Sequence, residues 1–365
     1  MEAGILADDL TGACDTGAVF AARGFATVVL LPGAPAPPAH AEVLVLDAES
    51  RGVDPARARE RAREAAARLA ALGARRLYVK VDSTLRGPLG AALAGGLEGA
   101  GAARAVVAPA LPAQRRAVVD GLLRVDGRPA ADTPVARDPA FPPTGASLPA
   151  VLAVAGATPV VVVPLAAVRR GADAVRRGLA RLEAVFACDA ESDVDLAALA
   201  AAAEPVPALL AGSAGLAAAL AARLAPGAGP PPAPGLRGPL LVVAGSAHPV
   251  TRAQVARLAG RGARVLAPAA TSSGVPAAVA AELGAAARRE LARAAPGTLL
   301  LTGGETAYSV CRALGASGLV LAGEAAPGIA VGALLDGPFA GLTVLTKAGG
   351  FGDPDALVRI HEALA

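Results

Sequence analysis

The chain has 365 residues, with 34 Lys or Arg against 31 Asp or Glu and a formal net charge of +3. Apolar residues make up 54% of it, yet aromatics reach only 2% and Trp is absent, so base-stacking platforms are poorly supplied, and arginines scattered among glutamates argue against a nucleic-acid stripe. Three far-apart cysteines (Cys14, Cys188, Cys311) and three isolated histidines (His40, His248, His361) give neither a disulfide framework nor a zinc-ligand spacing.

The first residues reach carboxylates at once, without a basic n-region, and no apolar run is long enough to span a bilayer. The expectation is a soluble cytoplasmic protein without membrane or nucleic-acid partners. In chain order, short β-branched runs at 4–7, 27–31, 43–46, 77–81, 105–108, 160–163 and 209–211 alternate with Ala/Leu/Arg helices. In the helix at 55–72, Asp54 is the N-cap, Pro55 the first helical residue and Gly73 the stop. Its arginines, interleaved with glutamates, read as a solvated face. Two Asp-Gly signals within 118–129 predict a β-hairpin inserted into this pattern.

The Pro/Gly run 226–235 predicts an exposed linker. After it the pattern restarts with strands at 240–244, 264–266 and 298–301 and helices at 249–258 and up to about 295. The fold class is therefore α/β, as two domains with mostly parallel sheets. The domains are 1–225, with the inserted hairpin, and 236–365.

Three constellations carry chemistry. Ala7-Asp8-Asp9-Leu10-Thr11-Gly12-Ala13-Cys14-Asp15-Thr16-Gly17 runs from the first strand into a helix, at the carboxyl-end crevice where open α/β sheets bind ligands. Its carboxylates can cap the helix, hold hydroxyls, bind a metal-bound phosphate or take a proton. Lys80-Val81-Asp82-Ser83-Thr84-Leu85-Arg86-Gly87 stands at another strand end, where Lys80 and Asp82 share a face and Arg86 offers a fork for carboxylate or phosphate. In the second half, Gly245-Ser246, Thr302-Gly303-Gly304-Glu305-Thr306 and Lys347-Ala348-Gly349-Gly350-Phe351-Gly352 are three Gly-rich turns that suggest a nucleotide cradle. No P-loop spacing accompanies them. His248, beside a proline, reads as a cap. The chain keeps just two lysines, Lys80 and Lys347, and each lies in one of these motifs.

Together these segments resemble the four-carbon acid sugar kinases, which phosphorylate tetronates such as threonate, erythronate or 3-oxo-tetronate. The resemblance also draws on 109–116 with Asp120-Gly121, Ala136-Arg137-Asp138-Pro139, 211–215 and Ala326-Pro327-Gly328, and so runs nearly end to end. It implies ATP with Mg²⁺, a sugar-acid-binding first domain and a nucleotide-binding second one. Asp8, Asp9, Thr11, Lys80, Asp82, Ser83 and Arg86 then belong to the sugar acid. Asp8, Asp9, Lys80, Asp82 and Arg86 are the candidates for catalysis, and the base is left open among the aspartates. Ser246, Gly303, Gly304, Glu305, Thr306, Lys347 and Gly349 belong to ATP, and no metal ligands are assigned. The family often has Gly where Arg115 stands and Asn where Gly350 stands. A homodimer fits the Ala-rich helices. A non-catalytic sugar-acid sensor and a metal-dependent sugar-phosphate hydrolase or lyase are the alternative readings.

Overall fold

A computed structural model describes residues 1–138, 141–142, 145–153, 158–225, 235–268 and 276–364. The expected linker lies outside the described residues except for Gly235, as does Pro139 of the Ala-Arg-Asp-Pro segment. The strands in chain order are β1 (Ala3–Ala7), β2 (Thr27–Leu30), β3 (Val43–Asp47), β4 (Leu77–Lys80), β5 (Ala105–Ala108) and β6 (Arg116–Val119). They continue with β7 (Leu122–Val125), β8 (Arg128–Pro129), β9 (Val160–Val163), β10 (Val185–Cys188), β11 (Leu209–Gly212) and β12 (Leu240–Ala244). The last are β13 (Arg264–Leu266), β14 (Thr298–Thr302), β15 (Gly318–Ala326), β16 (Ile329–Leu334) and β17 (Thr343–Lys347).

The chain divides into two compact units, one formed by Met1–Asp8 with Glu42–Pro226 and the other by Asp9–Ala41 with Gly227–Ala365. This differs from the division read from the sequence, because residues 9–41 group with the second unit. The reason is packing. The helix Leu10–Ala21 lies on β15, β16 and β17, and β2 pairs antiparallel with β15.

In the first unit the strand order β3-β1-β4-β11-β5-β10-β9 is parallel throughout. β1 and β3 are buried along their whole length, as expected of strands covered on both faces. The helix Pro55–Ala71 starts on the Asp54 cap, whose carboxylate accepts from Arg57 N (3.0 Å). It buries Ala58, Ala62, Ala66 and Leu69, a stripe at helical spacing, while Arg57, Arg59 and Arg63 stay exposed. The hairpin is present and extended by a third strand, β6-β7-β8. At both Asp-Gly turns each residue has positive φ (Asp120 55°, Gly121 71°, Asp126 54°, Gly127 76°), as a type I′ turn requires.

In the second unit β13-β12-β14-β17 is parallel, whereas β17-β16-β15-β2 is antiparallel. Its apolar cluster joins Leu240 and Val242 to Leu300, Leu345 and Leu357. The carboxyl ends of β12, β14 and β17 are thereby brought side by side, and each opens into one of the Gly-rich turns.

Candidate active site

In the first unit the ends of β1, β3 and β4 carry an ionic cluster. Arg51, in the turn after β3, grips Asp8 with two bonds, Nε to Oδ2 at 2.7 Å and Nη2 to Oδ1 at 2.8 Å. Its Nη2 also lies 3.8 Å from Asp82 Oδ1. Arg86 grips Asp82 in the same forked way (2.9 and 2.8 Å) and extends Nη1 to Asp138 Oδ2 at 3.1 Å. Thr84 donates to Asp82 through N (3.0 Å) and through its hydroxyl. Arg116, at the start of the hairpin, donates to the Ser83 hydroxyl.

Lys80 is 5% exposed and donates to Val81 O at 2.9 Å. Burial is the largest single influence on Asp82 and pushes its pKa up. The charges of Arg86, Arg51 and Lys80 and the Arg86 hydrogen bonds overcome it, so the carboxyl is held well below the usual range. The same pairing raises the Arg86 guanidinium. Asp8, Ser50, Lys80, Asp82, Arg86 and Leu89 are among the lining residues of a narrow polar cleft at these strand ends.

In the second unit Asp9 caps the helix Leu10–Ala21, accepting from Gly12 N (2.8 Å) and the Thr11 hydroxyl (3.0 Å). Its carboxylate occupies the space that a Cβ on Gly304 would need, at the start of the helix Gly304–Ala313. Gly303 has φ of +99° and abuts Ser246, while a Cβ on Gly349 would overlap the Ser246 hydroxyl. The Gly303 amide donates to Lys347 O (3.3 Å), which ties the turn after β14 to the end of β17. Thr306 is buried with its hydroxyl against Gly245, and Glu305 is exposed in the first helical turn. His248 accepts from Val250 N through Nδ1 (3.2 Å), so it caps the helix Pro249–Ala259.

Lys347 is fully buried. Its Nζ faces Ala348 O (2.9 Å), Phe351 O (3.1 Å), Gly349 O (3.4 Å) and the Thr251 hydroxyl (3.4 Å). Burial lowers its pKa to about 7.

The structure thus gathers Asp8, Lys80, Asp82, Ser83 and Arg86 in one unit. It gathers Asp9, Thr11, Ser246, Gly303, Gly304, Glu305, Thr306, Lys347 and Gly349 in the other. The adjacent Asp8 and Asp9 part company, each with its own neighbours. Arg51 was not singled out from the sequence. Its signal was a Ser-Arg-Gly turn after β3, the parallel neighbour of β1. Arg116 and Asp138 lay in motif segments without an assigned contact.

Two family models match the sequence, a sugar-binding N-terminal domain over residues 3–220 and a nucleotide-binding C-terminal domain over 262–357. The chain is 38% identical to a D-threonate kinase of Bordetella bronchiseptica, across 99% of this chain and 97% of that protein. The chain belongs to the four-carbon acid sugar kinase family. Other relatives of this kinase are a D-threonate kinase of Salmonella typhimurium (33% identical, 98% of each chain) and a D-erythronate kinase of Heliobacterium modesticaldum (29%, covering 96% and 94%). A solved Haemophilus influenzae protein shares the fold, with a TM-score of 0.74 at 22% identity over 99% of both chains. A Bordetella bronchiseptica crystal structure, a domain-swapped dimer with bound citrate, is 34% identical with a TM-score of 0.54, covering 100% of this chain and 98% of that one. Among the described residues no helix is long and apolar enough to cross a membrane.

Proposed function

We propose that this kinase transfers the γ-phosphoryl group of ATP to the terminal (4-) hydroxyl of a four-carbon sugar acid, D-threonate first and D-erythronate second. The observation that carries this reading is the meeting of Asp8, Lys80, Asp82 and Arg86 in one cleft at the ends of β1, β3 and β4, with Arg51 beside Asp8 and Asp82. Forked guanidinium groups suit a substrate carboxylate, and a carboxylate held ionised, as Asp82 is, suits hydroxyl donors. The relatives named for D-threonate support the choice of acid, and the citrate-bound relative supports a preference for hydroxy acids.

The second unit fits a nucleotide. Gly304 and Gly349 let the Asp9 carboxylate and the Ser246 hydroxyl lie directly against the turns after β14 and β17, and backbone N–H groups of such turns suit a phosphate. Mg²⁺ usually binds through one or two carboxylates plus substrate phosphates, and Asp9, beside Gly304, would supply such a carboxylate. The cation would neutralise charge on the transferring group. Asp82 is a poor candidate for the base because its partners hold it ionised at a low pKa. It serves instead to place the hydroxyl. A homodimer follows by analogy with the Bordetella structure and is checked by light scattering.

ADP release should be measured with ATP, Mg²⁺ and a panel of D-threonate, D-erythronate, L-threonate and 3-oxo-tetronate. The expected result is turnover fastest on D-threonate. Binding of ATP and acid with no ADP from any member of the panel would sink the reading in favour of a sensor.

A further inference from the structure

Lys347 has the form of a ligand-binding lysine in the sequence, yet its ammonium is spent inside the protein. It is fully buried, while Ala348, Gly349 and Gly350 are half-buried at the surface of the turn. Two carbonyls that face it, Ala348 O and Gly349 O, belong to consecutive peptide groups. Thr251 reinforces the second with a 2.7 Å hydrogen bond to Gly349 O, and Gln254 holds Phe351 O and Asp353 O at 3.1 and 2.8 Å. A trans peptide is planar, so its N–H points opposite to its C=O. Drawing the carbonyls of Ala348 and Gly349 inward therefore turns the N–H groups of Gly349 and Gly350 outward. Two successive outward amides form a concavity for an anion.

We propose that Lys347 is a positioning residue that touches no nucleotide but builds, from beneath, an anion cradle out of the amides of Gly349 and Gly350. The cradle takes a terminal phosphate of the nucleotide, and in this it rests on the nucleotide-binding reading given above. The side-chain identity follows from the geometry. One compact ammonium on a flexible stem can meet several carbonyls at a point, which a planar guanidinium cannot do. Asn at position 350, which the family often carries, keeps the same backbone N–H.

The position also couples the cradle to protons. The amine faces the Thr251 hydroxyl and the carbonyls of its own turn, while Thr251 in turn meets Thr302 and Gln254 holds the Phe351 carbonyl. The ionisable groups on the elements packed against Lys347 are His248, Arg252 and Arg257 on the helix Pro249–Ala259 and its cap, Glu305 past β14, Asp353 past the turn, and Asp9, Cys14 and Asp15 on the cap and body of the helix Leu10–Ala21 that lies on β17. Asp353 is paired with Arg359 at 2.6 Å and Arg257 with Asp355 at 2.6 Å. Burial is the cause that acts on the amine, and it leaves it close to half-protonated at neutral pH. A phosphate in the cradle favours the ammonium, so nucleotide binding takes up a proton and weakens as pH rises.

With just two lysines in the chain, uniform ¹³C-lysine labelling of the full-length protein gives two Cε signals. The Lys347 signal is assigned by its loss in Lys347→Met, or as the one remaining in Lys80→Met should the first variant not fold. The expected result is a midpoint near neutrality that moves up by about one pH unit on saturation with ADP, which equals about a tenfold coupling. In Lys347→Met, ADP affinity should fall about tenfold while the KM for the sugar acid stays unchanged, and the wild-type weakening between pH 6 and 9 should disappear. ADP binding with an unmoved Lys347 midpoint overturns the proposal and leaves the nucleotide reading intact. Equal losses at both substrates in Lys347→Met would reduce the residue to a structural role and overturn it too. Failure of ADP to bind at all overturns both.

Discussion

The two units place a buried lysine at the end of a parallel strand, and they treat it in opposite ways. Lys80 sits in a field of charge, close enough to Asp82 to help hold that carboxylate ionised, within a chain of pairs from Asp8 through Arg51, Asp82 and Arg86 to Asp138. Lys347 sits among carbonyls and hydroxyls, and burial moves it towards neutrality. One unit arranges side-chain charges, whereas the other arranges backbone. Asp82 should keep its charge across physiological pH, and Lys347 should change within it.

The largest way to break this contrast is Asp82→Ala. It removes the forked partner of Arg86, which keeps only Asp138, while Arg51 keeps Asp8, and it should cost up to about 3–5 kcal/mol in urea unfolding, with loss of turnover. Because the Asp82 carboxyl is depressed on folding, its contribution is fully present above the unfolded value of about 4 and is lost as pH falls through the lower folded value. The wild-type advantage over Asp82→Ala should shrink in acid, and an advantage that does not change with pH would contradict the ionic account.

Gly304→Ala tests the backbone side. Its methyl group meets the Asp9 carboxylate, and overpacking of this kind costs about 1–3 kcal/mol. The KM for ATP should rise with the KM for the sugar acid unchanged, and an equal rise in both would blur the two units' roles.

Lys347→Met sharpens the comparison through pH. The folded lysine is depressed to about 7, so between pH 7 and 10 the unfolded chain binds more protons and wild-type stability rises with pH. Relative to Lys347→Met, the wild type should gain up to about 1.4 kcal/mol per pH unit in that window. Parallel curves for the two proteins would show that Lys347 titrates normally.

The smallest effect is expected at Arg115, which adopts φ of +52° while its exposed guanidinium pairs with Asp126 at 2.6 Å. Left-handed backbone costs a non-glycine residue about 1–2 kcal/mol, partly offset on mutation by glycine's greater unfolded-state freedom. Arg115→Gly should therefore stabilise the protein by a few tenths of a kcal/mol, read as a small rise in Tm. A fall would mean that the exposed ion pair outweighs the strain.

Much of this was legible in the sequence because its signals are local. Strand ends followed by polar motifs, the Asp54-Pro55 helix start and the paired Asp-Gly turns each depend on a few neighbouring residues, and the structure shows all of them. Two things were not local. The divergence of Asp8 and Asp9 depends on which unit the following helix packs against, and that is decided by β15–β17, far along the chain. The antiparallel pair β15–β16 was missed as well. Gly318, Gly323, Gly332 and several alanines give it little intrinsic strand propensity, and its pairing arises from tertiary context. The contacts from Arg51, Arg116 and Asp138 likewise need the turn after β3, the hairpin and the segment beyond it to be folded first.

The grouping of residues 9–41 with the C-terminal unit bears on how the protein is made. Leu30 is synthesised early, yet its ladder partner Gly318 belongs to a strand made near the end. A nascent chain therefore carries the helix Leu10–Ala21 and β2 without their sheet until almost all of it has left the ribosome, an interval in which apolar surface stays open to association. Cutting the gene at the proline-rich segment would make that interval permanent. One fragment would keep an orphaned helix and strand, and the other would lack the aspartate that meets Gly304.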